Sequence, residues 1–140
     1  MSEIEFIQSI KCRFPYRDRS RALELAQTAC LISPNAAFAV ADEVSRPPHG
    51  EITDSETCGD VLNYLSAHIQ HPLAEPVLGL AHSLVAGKSV NVGDAVRVLR
   101  QIESFPGQYA ALSIAYFASD DIDGVADAEY NRIRAVWDAP

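Results

Sequence analysis

Four side chains near the middle of the chain, His68, His71, Glu75 and His82, are of the types that bind metal ions or move protons. Imidazoles and a carboxylate at such spacings can gather on one helix face, which is how ligands converge on zinc. Pro72 interrupts that helix between His71 and Glu75, and no Cys or Asp nearby completes a ligand set. His68 also shares a stripe with Val61, Leu62, Leu65 and Ile69, which marks it as a packing residue. The sequence is therefore read as carrying no metal and no cofactor.

A second constellation is the stretch SDDIDGVADAEY, residues 119–130, where Asp121, Asp123 and Gly124 match inner places of a calcium loop. Such a loop needs an acid first and a bidentate Glu last. Ser119 and Tyr130 stand at those ends, and Glu129 falls one residue early. Acids ahead of a helix are explained as N-caps favoured by the helix dipole. The chain has no G-x-S-x-G, no phosphate-cradling G-x-x-x-x-G-K and no H-E-x-x-H. Catalytic groups need not be neighbours in sequence, yet nothing here selects a dyad, and the chain is read as non-catalytic.

The elements that hold these residues are helices. Apolar residues recur at helical spacing over 2–14, 18–32, 34–44, 54–69, 72–86, 92–104, 107–119 and from about Asp121 or Asp123 to Trp137, which makes eight helices. Strand alternation is absent. Ser2 caps the first helix with Glu5 in the capping-box place, and Asp18 or Ser20 caps the second. Asp54 or Ser55 caps the fourth, and Gly87 ends the fifth. Four apolar runs close on Ile10, Ile32, Ile69 and Ile102, each followed shortly by Pro15, Pro34, Pro72 or Pro106. Proline suits the first turn of a helix and disfavours helix in the residue before it, so each Ile…Pro unit predicts a corner. Pro76 is tolerable only within a first turn. The stretch Ser45–Thr53 (SRPPHGEIT) is the strongest breaker and reads as a loop.

At 140 residues the chain is one domain, 1–140, with 48% hydrophobic and 21% charged residues, ordinary values for a globular protein. Cys12, Cys30 and Cys58 are too few and too scattered for a disulfide framework or zinc site, and read as small apolar residues. A net charge of −8 argues against nucleic acid as a partner. The cluster Lys11, Arg13, Arg17, Arg19 and Arg21 reads as a solvated helix face. No apolar run is long enough to cross a membrane, and the acidic start MSEIEFIQSI does not resemble a signal peptide, so a cytoplasmic location is expected.

Shifting residues 59–86 by 34 positions aligns Gly59 with Gly93, Asp60 with Asp94 and Leu65 with Leu99. The same shift aligns Pro72 with Pro106, Leu78 with Leu112 and Ala81 with Ala115. Leu78-Gly79, Gly87, Ala95 and Pro106, with Leu112, Tyr116, Gly124 and Ala126, resemble the tetratricopeptide repeat. The family's Trp is missing from both units, Ser113 stands where Gly is expected, and the part before residue 54 fits poorly. The run from His71 to Ala118 is similar to small acidic accessory proteins and chaperones of bacterial type III secretion. That resemblance implies an all-α stack of antiparallel hairpins whose concave face holds a helix of a secretion partner.

Tyr109, Tyr116 and Phe117 fall close to one helical face, and Tyr130 and Trp137 lie seven apart. Core packing between the last two helices is favoured for them, with a groove of rigid aromatics as the functional alternative. The candidate groove residues are Leu78, His82, Tyr109, Leu112, Tyr116, Phe117, Tyr130 and Trp137. The expected function is a protein-binding module that grips a partner helix or peptide, the partner being a secreted substrate, a secretion component or a toxin. One alternative is an immunity protein that neutralises a basic toxin through its acidic surface. Another is a small metal-binding protein or enzyme. A homodimer through an exposed apolar face is a further expectation.

Overall fold

The computed structural model describes residues 2–13, 18–45, 55–103, 105–120 and 124–138. Eight α-helices fill these segments: α1 (Glu3–Arg13), α2 (Arg19–Ile32), α3 (Pro34–Ser45), α4 (Ser55–His68), α5 (Ala74–Val85), α6 (Gly93–Leu99), α7 (Phe105–Ala118) and α8 (Val125–Asp138). The only strand-like pairing among the described residues is one parallel bridge between Val90 and Ser119. In it the Val90 N–H donates to Ala118 O and the Asp120 N–H donates to Val90 O, both at 2.9 Å.

Short polar side chains set the helix starts by accepting otherwise orphaned N–H groups. Ser2 Oγ accepts from the Glu5 N–H at 3.2 Å, and Asp18 Oδ1 accepts from the Arg21 N–H at 3.1 Å. Ser33, not foreseen, accepts from the Ala36 N–H at 3.1 Å and donates to Glu3 Oε2, which ties α1 to the α2–α3 corner. Pro34 is the first residue of α3, and Pro76 lies in the first turn of α5. Gly87 follows α5 with φ +74°, the left-handed conformation that a side chain would strain.

Three boundaries differ from expectation. Pro72 sits in a turn two residues ahead of α5, with the Ala74 N–H on His71 O at 3.1 Å. Ser45 belongs to α3 rather than to the breaker. Helix α6 ends at Leu99 because Gln101 and Ile102 bond back only three residues, to Val98 O and Leu99 O. That tightening returns Ile102 to the core at 2% exposure. Pro15, the breaker from 46 onward, and the proposed caps Asp54, Asp121 and Asp123 lie outside the described residues.

Helices α3 and α7 form the centre. Helix α3 packs on α1, α2, α4, α5 and most extensively on α7, which in turn packs on α5, α6 and α8. The residues explain this closeness. Ala36, Ala37, Ala39 and Ala41 on α3 and Ala110, Ala111 and Ala115 on α7 are all buried, and side chains this small let packed helices come close. Phe38, Val40, Leu112 and Ile114 fill the remaining volume. In an open one-dimensional stack each hairpin touches only its neighbours. The α3–α7 contact skips a hairpin, so the helices close around a central pair.

The internal repeat is visible in burial. Leu65 and Leu99 are both 0% exposed, Leu78 and Leu112 are 3% and 1%, and Ala81 and Ala115 are both 0%. The α4–α5 and α6–α7 hairpins thus present equivalent residues to the core. Gly93–Asp94 opens α6 as expected, whereas Gly59–Asp60 lies inside α4. Cys58 is buried and Cys30 half-buried, as their reading as small apolar residues requires. Burial pushes the Cys30 thiol above its ordinary pKa.

Ser113 is fully buried on α7, and its Oγ has no hydrogen-bond partner among the described residues. A buried hydroxyl without a partner loses its hydration and gains nothing in return. Ser113→Ala keeps the close helix contact and removes that cost. It is expected to raise stability by about 1 kcal/mol, or roughly 3–5 °C in Tm, read by thermal unfolding.

Candidate binding groove at the proline corners

Three of the connections between helices come to one place. The α2–α3, α4–α5 and α6–α7 corners, the three with described prolines, meet there around an open depression of about 700 Å³. Pro34 and Asn35 form one side, His71, Pro72 and Leu73 a second, and Gln101, Ile102 and Glu103 a third. A second depression of about 500 Å³ continues along α4 and α5, past Ser66, Glu75, Leu78 and His82. His71 and Pro72 line both, so the two form one groove divided by that ridge.

The walls are held by specific contacts. The Leu73 N–H donates to His71 Nδ1 at 3.0 Å, which leaves the ring hydrogen on Nε2. The His71 ring meets buried Phe38 edge to face, with centroids 5.2 Å apart. Gln108 Nε2 donates to Arg100 O at 2.8 Å and to Ile102 O at 3.2 Å, clamping the α6–α7 corner. Gly107 lies so close to Asn35 that an added Cβ would collide with the Asn35 carboxamide and sit 3.3 Å from Ile102 Cγ2. Gly107→Val is therefore expected to cost about 2 kcal/mol of stability, measured by urea unfolding. Gly107→Ala is milder, because the Asn35 side chain can swing into the groove.

His82 and Ser66 meet in the α4–α5 half of the groove. Ser66 Oγ lies 2.8 Å from Leu62 O, to which it donates, and His82 Nε2 stands 3.3 Å from Ser66 Oγ. Which group donates in that second contact follows from the His82 tautomer.

The sequence-named residues divide. Leu78 and His82 line the groove, although Leu78 is mostly buried. Leu112 is a correction: at 1% exposure it packs in the core, because α7 is surrounded by α3, α5 and α8. Tyr109, at 9% exposure, is also largely enclosed. Tyr116 stacks on Tyr130 at 4.3 Å, and Phe117 meets Tyr130 edge-on at 6.1 Å. These rings join α7 to α8, as the packing reading held, and they face each other across that contact. The Trp137 side chain lies outside the described residues. His68 is a second correction. It is exposed, its Nδ1 lies 2.8 Å from Tyr64 O, and its ring stacks on Tyr64 at 4.0 Å. It therefore covers the outside of α4 and does not face the core.

His71 and Glu75 come together with His82 along the groove, but no three His, Cys, Asp or Glu among the described residues are placed to hold a metal ion. Sequence reasoning missed Asn35, Gln101 and Glu103. Their signal was position: each lies within five residues of a corner proline. No described helix is long and apolar enough to cross a membrane. Comparison with protein-family models, curated proteins and solved structures finds no match to the chain.

Proposed function

We propose that the chain is a non-catalytic protein-binding module that holds a segment of a partner protein in the groove at its proline corners. The observation that carries this reading is the distribution of exposed apolar side chains. Only three large ones are exposed among the described residues: Ile4 at 43%, Leu31 at 88% and Val98 at 37%. Leu31 and Val98 lie in the last turns of α2 and α6, which end at corners lining the groove. Ile4 adjoins Glu3, whose carboxylate accepts from Ser33 at the first of those corners. Scattered apolar residues need no explanation. Leu31 and Val98, each beside a corner that lines the groove, favour a docking surface there.

A photo-crosslinking amino acid at exposed Gln101 tests the reading in the native host. A discrete adduct from Gln101, with none from Gln27 on the outer face of α2, is expected. Adducts of equal yield at both sites, or none at Gln101, overturn it. The resemblance to secretion chaperones suggests a secreted protein or secretion component as partner, and a cytoplasmic setting. The second reading is an immunity protein against a basic toxin, favoured by the charge of −8. Steering by the whole surface would make association rates fall steeply with salt, with little effect from groove substitutions.

A further inference from the structure

We infer that the occupant of the groove is a cationic amphipathic segment of another protein, with apolar residues on Pro72 and Leu73 and Lys or Arg side chains on Glu75 and Glu103. This rests on the groove reading above and adds the chemistry of the partner. Both carboxylates are exposed, and each belongs to the lining of one half of the groove. Neither has an ion-pair partner among the described residues. Among the described residues no Lys or Arg lines either half. Arg100, next to Gln101, is already engaged by Glu129 at 3.4 Å. The described lining of the groove is thus negative, with no Lys or Arg to offset it.

Helix dipoles do not reverse that sign. The N-terminal ends of α3, α5 and α7 reach this end of the molecule, each carrying roughly half a positive charge. The C-terminal ends of α2, α4 and α6 arrive at the same corners with roughly the opposite half charge. The pairs offset one another, which leaves the two full carboxylate charges to set the field. The lining beside them is apolar at Pro72 and Leu73, so a segment with alternating apolar and basic faces satisfies both features.

The test uses three fluorescein-labelled peptides and the intact protein: an amphipathic Leu/Lys peptide, its Leu/Glu counterpart and a Ser/Lys peptide of equal charge. Anisotropy is expected to show the Leu/Lys peptide binding at least roughly tenfold tighter than either control. The double variant Glu75→Gln/Glu103→Gln is expected to weaken it by about tenfold while its Tm stays unchanged, since both residues are exposed. Equal binding of the Leu/Glu peptide, an unchanged affinity in the double variant, or no binding of the Leu/Lys peptide overturns the inference. If any of these occurs while Gln101 still gives its discrete adduct, the groove reading survives and only the charge assignment falls.

Discussion

Phe38→Ala lowers the unfolding free energy by about 3–5 kcal/mol, the expected cost of emptying a buried aromatic site. Phe38 is 0% exposed on α3, the helix that touches five others. Its neighbours Ala36, Ala37, Ala39 and Ala41 are too small to move into the space it leaves. Partial collapse is therefore poor, and the cost belongs to the upper part of that range. A fall of roughly 10–20 °C in Tm follows for a chain of this size. The urea midpoint shifts in step, with an unchanged slope if the denatured state is unaffected. The substitution also removes the edge contact to His71 at 5.2 Å, so the ridge between the two halves of the groove loosens. Phe38→Leu, which keeps most of the volume, restores most of the stability. A loss below about 1 kcal/mol in Phe38→Ala would contradict the placement of α3 at the centre.

Leu112→Ala is expected to cost about 2–5 kcal/mol, and it separates two accounts of the same residue. As a groove residue, Leu112 could be truncated with a small loss of stability and a large loss of binding. As a core residue at 1% exposure between α7 and its neighbours, it gives a large loss of stability on truncation. The equivalent residue of the repeat, Leu78, is 3% exposed and lines the groove from below, so Leu78→Ala affects stability and binding together. Leu112→Met, similar in volume, stays within about 1.5 kcal/mol of the parent. Chemical denaturation of the three variants, with peptide binding read alongside, distinguishes the cases.

The helices were legible because their signals are local. Ser2, Asp18 and Gly87 act within one turn of their own positions, and the prolines mark corners whatever the rest of the chain does. Burial in the two hairpins was legible through the repeat, since residues at matched places face the same core. The arrangement of hairpins was not. Whether α3 packs on α5 alone or crosses to α7 depends on alanine-to-alanine approach between distant segments, and the sequence shows the alanines without showing the pairing. Leu112 was misplaced for that reason, since its helix is covered on several sides. His68 was misplaced because periodicity put it at the edge of a stripe, where Tyr64 draws it outward. The groove residues Asn35, Gln101 and Glu103 carry no motif and become neighbours only when three corners meet.

The account stands on the claim that the proline-corner end, and not the α7–α8 aromatic face, receives the partner. Amide hydrogen exchange of the intact protein, with and without the Leu/Lys peptide, tests this most directly. Slower exchange at Leu73, Ala74 and Glu75 and at Gln101–Glu103 is the predicted result, with no change around Tyr116 and Tyr130. Protection confined to Tyr116, Phe117 and Tyr130, with the corner amides unaffected, would contradict it.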